Sequence, residues 1–284
     1  MKLRLAEAIP FVGVSLLGSL AAGWPKPLAQ ILPVWLAAGG AFFLLWFAFL
    51  FNNWQDQPAE PQNSAPAGRL EFSPQTNRLL VLVAAVISVG LYAATGKVGV
   101  WLSALAALAL AFFYSWRRLP AKQLPLLGTL LHLLVAGLVF AAGWMAAADF
   151  SWRAVLAGLF PGLLFAAGHL HHEALDFEKD RRSGVLTQAV RYGPARVVQA
   201  GRVLWLFSPL PFVWLSWVEK TFPESLGWLA AALAAGYLAA SFQLLKNGVF
   251  AEALGKLRRF YRTLYLLGGF VMLVLLEPER LLWF

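Results

Sequence analysis

The sequence predicts an all-α protein that crosses a membrane many times, and three observations support this fold class. Of the 284 residues, 60% are hydrophobic and 13% are charged, with a mean hydropathy of +0.66, whereas roughly 25% of the residues in an average globular chain are charged. Apolar runs of about 17 residues or more recur along the whole length, and each can cross a bilayer as a helix. The runs lack the strict alternation of barrel strands, which favours helices that satisfy their own backbone hydrogen bonds.

Nine such runs predict nine transmembrane helices, at about 8–24, 28–51, 79–95, 98–114, 124–147, 153–172, 197–218, 226–245 and 263–282. We expect them to form one domain over residues 1–284, packed around a central cavity, with a loose internal repeat of residues 1–120 and 121–284. The first run has an alternative interpretation. Lys2 and Arg4 precede it and the small-residue stretch "SLA" lies near its end, so it also resembles a signal peptide, whose removal would leave eight spans.

The basic residues predict the orientation of the chain in the membrane. The net charge is +9, and most of the 23 lysines and arginines fall in the N-terminal tail or in the loops after spans 2, 4, 6 and 8. The opposite side holds only Lys26, Lys97, Arg153, Lys220 and Arg280. The even-numbered loops are therefore expected in the cytoplasm, and no nucleic-acid partner is needed to explain the charge. The lack of cysteine excludes disulfides, thiolate metal sites and cysteine nucleophiles.

Two polar stretches follow long apolar runs on this predicted cytoplasmic side. We name "FNNWQDQPAE", residues 51–60, the first polar station and "HHEALDFEKD", residues 171–180, the second polar station. Asp56 and Asp176 stand 120 residues apart, and four spans separate them, so both emerge on the same side. Repeated halves that hold a site at their interface are common in membrane proteins. We expect the two stations to face one site.

Helical spacing groups the polar residues of each station on one face, because residues four apart are neighbours on a helix. His172, Asp176 and Asp180 form one stripe with Glu173 beside it, while Asn52 and Asp56 form a matching pair with Asn53 adjacent. Glu60 would extend that pair, but Pro58 removes a helical hydrogen bond before it. Stacked carboxylates repel one another unless cations lie between them, and oxygen ligands suit Mg²⁺. The stations therefore predict a magnesium site.

The polar stations are also compatible with two different roles. The acidic residues could be solvated helix ends, paired with neighbouring cations such as Lys179 or Arg182. Alternatively, His169, His172 and Asp176 could bind zinc, since imidazole suits that metal. The stretch "HEALD" superficially resembles a metalloprotease helix, but position 176 holds aspartate where that motif needs a second histidine. Most of the available ligands are oxygen atoms, which favours magnesium over zinc.

At these residues the sequence resembles the UbiA family of intramembrane prenyltransferases. The first motif of that family, approximately N-(D/N)-x-x-D-x-x-x-D, appears at positions 52, 53, 56 and 60. The second, D-x-x-x-D followed by a G-x-x-T-x-x-V-x-x-G segment, matches residues 176–193 closely. The stretches "YSWRRLPAK" at 114–122 and "APAGRL" at 65–70 also resemble family segments. Glu60 in place of aspartate, Pro58 within the first motif, and His172–Glu173 in place of Asn-Asp depart from the pattern.

The resemblance implies Mg²⁺-dependent transfer of a polyprenyl group from its diphosphate to a lipophilic, aromatic acceptor, as in the biosynthesis of quinones or related isoprenoids. It implies catalytic roles for Asp56, Asp176 and Asp180. Around the metal it implies a ligand set of Asn52, Asn53, Asp56, Glu60, Glu173, Asp176 and Asp180. The diphosphate would be bound by Arg69, Tyr114, Arg118, Lys122 and Arg181. The expected partners are the polyprenyl diphosphate, the acceptor and the bilayer, with the enzyme in the inner membrane of a bacterium and its site on the cytoplasmic side.

A different class of function, a transporter with cation-binding acidic stations, is the alternative. Transporters bind their substrates near the midplane of the bilayer, often at broken helices. Here the acidic residues follow the apolar runs instead, which puts them near the interface and favours the enzyme.

Overall fold

The computed structural model describes residues 5–23, 28–56, 73–116, 121–124, 126–247 and 250–276, and the side chains of Asp56 and Lys122 lie outside the description. Within these ranges the chain is helical and has no strand. The helices are α1 (Leu5–Ala21), α2 (Leu28–Asp56), α3 (Pro74–Ala94), α4 (Val98–Ser115), α5 (Leu127–Ala147), α6 (Trp152–Arg182), α7 (Gln188–Tyr192), α8 (Pro194–Phe207), α9 (Leu210–Trp217), α10 (Glu224–Asn247) and α11 (Phe250–Leu276). A 3₁₀ turn, Ala121–Gln123, precedes α5.

The all-α membrane fold is confirmed, although the predicted count of nine spans is not. Seven described helices are long and apolar enough to cross a membrane, namely α2, α3, α4, α5, α6, α10 and α11. The apolar part of α1 is shorter, Ala8–Ala21. The predicted span 197–218 consists of two helices, α8 and α9, that meet at Ser208 and Pro209. Proline lacks an N–H and clashes with the preceding turn, which explains the break.

Two of the remaining helices differ in length from the predicted spans. Helix α6 continues past the predicted end at residue 172 to Arg182, so the second polar station is helical throughout. Helix α11 begins at Phe250, well before the predicted start at 263, and its first turns carry charged residues. Hydropathy detects only the lipid-embedded part of a helix, because the polar turns beyond it reach the aqueous interface.

Helices α5 and α6 occupy the middle of the bundle, and α1 packs closely against α5. A Cβ at Gly18 would collide with the Phe140 carbonyl, and one at Gly143 would collide with the backbone of Ser15. The hydroxyl of Ser19 donates to the Gly143 carbonyl at 2.8 Å. Small residues permit such close approach of membrane helices. Close approach strengthens van der Waals packing and hydrogen bonding, which drive helix association where lipid removes the hydrophobic effect. The first segment is thus an integral part of the bundle, and a central cavity stays a prediction.

The C-terminal half closes around buried aromatic rings. Trp205 of α8 stacks on Tyr237 of α10 at 4.1 Å and on Tyr265 of α11 at 5.2 Å between ring centroids. His171 of α6 is fully buried and hydrogen-bonds the Tyr237 hydroxyl at 2.6 Å. This contact joins the second polar station to α10. Helix α11 in turn contacts α1, α6 and α10, so the two ends of the chain meet in one bundle.

Candidate functional site

The second polar station lies on the last three turns of α6. His172, Asp176 and Asp180 follow one another at intervals of four along this helix, as the spacing predicted. The Nδ1 of His172 lies 3.5 Å from the Oδ2 of Asp176, and both side chains are about two-fifths exposed, at 41% and 45%. This face of α6 can therefore reach a hydrated ligand at the end of the bundle.

The first polar station lies at the end of α2, which stops at Asp56. Asn52 and Asn53 are half-buried, and the Oδ1 of Asn52 accepts a hydrogen bond from the Ser115 hydroxyl at 3.0 Å. Asp56 is the last residue of the helix, and its side chain lies outside the description. Glu60 and Arg69 belong to residues 57–72, which also lie outside it. The helical placement of residues 51–56 is therefore observed, and the ligand set of this station stays a prediction.

The end of α4 joins the two stations. Ser115 bonds Asn52 of the first station. Its neighbour Tyr114 contacts His132 of α5 and His169 of α6 edge to face, with ring centroids 4.9 Å and 5.8 Å away. His169 lies just before the second station on α6. Two consecutive residues of α4 thus contact Asn52 of the first station and His169, two residues before the second station, so both stations lie toward the same end of the bundle.

A pair of stacked histidines is a feature that the sequence alone did not reveal. The rings of His132 and His169 lie parallel at 4.0 Å between centroids, across the contact of α5 with α6. The Nδ1–H of His132 donates to the Gly128 carbonyl at 2.8 Å, which fixes the orientation of its ring. A histidine inside the otherwise apolar run 124–147 was the available signal, because polar residues within membrane spans usually serve the protein interior.

Glu173 faces the protein rather than the open end of the helix. Its side chain is 6% exposed, and its Oε1 lies 3.1 Å from the Nε2 of His169. Its Oε2 accepts a hydrogen bond from the backbone N–H of Gln188 at 3.0 Å. The same carboxylate therefore contacts both His169 and the segment that follows α6.

The predicted diphosphate ligands are only partly within the description. Arg181 is exposed, pairs with Glu178 at 2.8 Å and lies over the Phe177 ring at 5.5 Å. An exposed pair of this kind is worth about 0.2–1 kcal/mol, so Glu178 holds the Arg181 guanidinium only weakly. Arg118 and the side chain of Lys122 lie outside the described part of the chain, although Lys122 belongs to the 3₁₀ turn before α5.

The donor set bears on which metal the site could take. Among the residues whose side chains are described, no three histidine, aspartate or glutamate side chains form a group that could hold a metal. A zinc site built from His169, His172 and Asp176 therefore has no support. Asp176 and Asp180 supply two oxygen donors in adjacent turns of α6, which suits Mg²⁺ completed by waters and by a second element.

The sequence matches the model of the UbiA prenyltransferase family over residues 10–275. No curated protein matches the sequence significantly.

Solved structures share the fold over nearly the whole chain. A UbiA homolog from Archaeoglobus fulgidus, described as bound to GPP and Mg²⁺, is 20% identical with a TM-score of 0.69, covering 95% of this chain and 98% of its own. An apo UbiA homolog from Aeropyrum pernix K1 is 21% identical with a TM-score of 0.70, covering 94% and 98%. A digeranylgeranylglyceryl phosphate synthase is 17% identical with a TM-score of 0.70, covering 97% and 96%. At these identities the likeness shows a common fold.

Proposed function

Because the chain belongs to the UbiA prenyltransferase family, we propose that it transfers a polyprenyl group from its diphosphate to a lipophilic, aromatic acceptor within a membrane. One observation carries the proposal furthest. The ends of α2 and α6, both rich in oxygen donors, lie toward the same end of an apolar bundle, where Ser115 bonds Asn52 and Tyr114 contacts His169. A prenyl diphosphate has the same division, with a charged head at the interface and an apolar chain that belongs among the helices.

The polar stations would hold Mg²⁺, with Asn52, Asp56, Asp176 and Asp180 as its main ligands and Asn53 and Glu60 as secondary ones. Carboxylates cannot bind a diphosphate directly, because like charges repel. When bound, Mg²⁺ would neutralise charge on the diphosphate leaving group. The Archaeoglobus homolog described as bound to GPP and Mg²⁺ supports this pairing of metal and diphosphate in the shared fold.

Basic residues would complete the diphosphate site. Arg181 projects from the same helix end as Asp176 and Asp180, and Arg69, Arg118 and Lys122 come from the loops beside the first station and α4. Arg181 would exchange Glu178 for the diphosphate when the donor binds. Tyr114 would contribute to the inner wall, where its ring already packs on two histidines. Positive charge beside the leaving oxygens favours departure of the diphosphate.

The reaction would proceed by breaking the bond between the prenyl C1 and the diphosphate oxygen, with both electrons leaving on the diphosphate. The acceptor would supply the electron pair of the new bond and release a proton. The apolar interior of the bundle would keep water from the allylic cation. The role of the protein would be to hold the donor head, align the acceptor and exclude water.

The acceptor class, the compartment and the pathway belong to the same proposal. The distribution of cations supports a cytoplasmic site, and with it the inner membrane of a bacterium. An aromatic acceptor of quinone or related isoprenoid biosynthesis is the choice that the family resemblance favours. The transporter alternative receives no support from the family match.

The test is a prenyl-transfer assay on the purified protein in lipid, with radiolabelled polyprenyl diphosphates and a panel of aromatic and glycerol phosphate acceptors. We expect labelled lipophilic product that requires Mg²⁺ and disappears with EDTA. Transfer to a glycerol phosphate alone would overturn the aromatic acceptor. Absence of any transfer, in protein that binds no prenyl diphosphate, would overturn the proposed activity.

A further inference from the structure

The segment that follows α6 folds back onto that helix. Helix α6 ends at Arg182, and Gly184 adopts a left-handed conformation with φ of +69°, which reverses the chain. The N–H of Val185 then bonds the Asp180 carbonyl at 3.0 Å. Thr187 is buried, and α7 starts at the next residue. Residues 183–193, here called the return segment, thus start by folding back onto the turn of α6 that carries Asp180, the last acidic residue of the second polar station.

The buried side chain of Glu173 links the return segment to α6 by a hydrogen bond. Its Oε2 accepts the N–H of Gln188, the first residue of α7, at 3.0 Å. Thr187, which precedes α7, gives that helix no side-chain cap, so the Glu173 carboxylate takes the capping position from a different helix. A carboxylate is the preferred charge at a helix N-terminus, where backbone N–H groups are unsatisfied. The second carboxylate oxygen of Glu173, Oε1, lies 3.1 Å from the Nε2 of His169.

Two further contacts hold the return segment against α5 and the turn before it. The side-chain amide of Gln188 donates to the Thr129 hydroxyl at 2.7 Å. The guanidinium of Arg191 donates to the Gln123 carbonyl at 3.2 Å. Gln188 is 5% exposed, so its backbone and its side chain both bond within the protein interior. The return segment is therefore tied to α6 through Glu173 and to α5 through Thr129.

We propose that Glu173 is a positioning residue for the acidic site: it holds the return segment against the turn of α6 that carries Asp180, where the Val185 N–H bonds the Asp180 carbonyl. This proposal rests on the function proposed for the protein, because Asp180 matters here as a ligand of Mg²⁺. It replaces a direct role of Glu173 as a metal ligand. The two roles differ in what they require from the side chain. A metal ligand must carry negative charge, whereas a residue that accepts the Gln188 N–H needs only an oxygen at that place.

Three variants separate the two roles. Glu173→Gln keeps an acceptor oxygen and removes the charge, while Glu173→Ala removes both. Thr129→Val removes the hydrogen bond that the Thr129 hydroxyl accepts from the Gln188 side chain. Thr129 lies on α5, which has no carboxylate that could ligate a metal. If Glu173 acts by positioning, Glu173→Ala raises the Mg²⁺ concentration for half-maximal transfer about tenfold, and Glu173→Gln changes it less than about threefold. Thr129→Val then raises it as well. If Glu173 binds the metal, Glu173→Gln has the same effect as Glu173→Ala, and Thr129→Val has no effect.

Hydrogen exchange of the return segment gives a second readout that does not depend on activity. We expect exchange of residues 183–193 to be about tenfold faster in Glu173→Ala than in the unchanged protein, and near normal in Glu173→Gln. The turn at 218–223, at the opposite end of α6, serves as an internal control and should not change. This comparison holds even if the protein proves to transfer no prenyl group, so failure of the proposed function and failure of the positioning role give different results. Equal exchange in all variants, or loss of Mg²⁺ affinity in Glu173→Gln, overturns the proposal.

Discussion

The hydroxyl of Ser115, the last residue of α4, donates to the Oδ1 of Asn52 at 3.0 Å across 63 residues of sequence. Asn52 is one turn from the end of α2, and Ser115 directly follows Tyr114, which contacts the stacked histidines. The bond therefore connects the first polar station, on α2, to the end of α4, whose residue Tyr114 contacts His169 of α6. A carbonyl oxygen accepts in two directions, so Asn52 can keep this bond and still ligate a metal.

Ser115→Ala should therefore weaken the site more than it weakens the fold. Loss of one hydrogen bond lowers the free energy of unfolding by about 1 kcal/mol, and Asn52 would also lose the donor that orients its amide. We expect the Mg²⁺ concentration for half-maximal transfer to rise several-fold, with expression and thermal stability nearly unchanged. Titration of transfer activity with Mg²⁺ measures the effect.

Ser88→Ala is the matched control for this change. Ser88 of α3 is also buried and donates to a residue of α2, the Gly40 carbonyl, at 2.9 Å. Gly40 lies 12 residues before Asn52, or about 18 Å along the helix. The control should cost similar stability and leave the Mg²⁺ titration unchanged. If both variants shift the titration equally, Ser115 acts only through general stability.

The membrane helices could be predicted from sequence because the composition of each apolar run determines by itself that the run is buried in lipid or protein. A run such as 124–147 requires a lipid or protein interior wherever it lies, and α5 forms at that place. The limits of the method appear where a helix leaves the membrane. Helix α6 continues for ten residues beyond the predicted end at residue 172, to Arg182. Hydropathy does not predict this extension, because many of the ten residues are polar, whereas the helical spacing of His172, Asp176 and Asp180 does.

The contacts between helices could not be predicted in the same way. His132 and His169 stack although 37 residues separate them, because α5 and α6 are rotated so that both imidazoles meet. Helical spacing put Glu173 beside the acidic stripe, but its burial depends on a chain reversal at Gly184 that returns Gln188 to it. Both features depend on the rotation and register of neighbouring elements, which periodicity within one helix does not contain.

The orientation of the two polar stations can be tested by cysteine labelling, since the natural chain has no cysteine. Helix α6 has 31 residues and is about 46 Å long, so Asp149 and Ser183 flank it at opposite membrane faces. We expect Ser64→Cys and Ser183→Cys to react with an impermeant maleimide only after the cells are permeabilised. Asp149→Cys should react in intact cells. Labelling of Ser64→Cys and Ser183→Cys from different sides would contradict both the topology and the shared site.

Removal of a carboxylate from either polar station should abolish transfer in protein that still inserts and folds. For Asp56→Ala or Asp176→Ala we expect a loss on the order of 100-fold or more in kcat/KM, because even residues that only support metal ligands contribute roughly 10–100-fold. Glu178→Gln is the matched control. Glu178 lies on the same turns of α6, is exposed and contacts Arg181. Its loss should leave Mg²⁺ dependence intact, and equal damage in the control would show that general charge, rather than ligation, is responsible.

The basic residues pose the last test, because cations on this face would serve both the predicted orientation in the membrane and the proposed diphosphate site. If Arg181 binds the diphosphate, Arg181→Gln loses a charge-assisted hydrogen bond of about 1.5–3 kcal/mol, so donor kcat/KM should fall about tenfold or more. Lys122→Gln should act in the same direction. Arg182→Gln, one residue further along α6 and also exposed, removes the same charge and leaves the orientation unaltered, since many more cations remain. We expect Arg182→Gln to behave like the unchanged protein and the acceptor KM to change less than the donor KM in all three variants. Unchanged donor kinetics in Arg181→Gln and Lys122→Gln would remove both residues from the site and leave Mg²⁺ as the main anchor of the diphosphate.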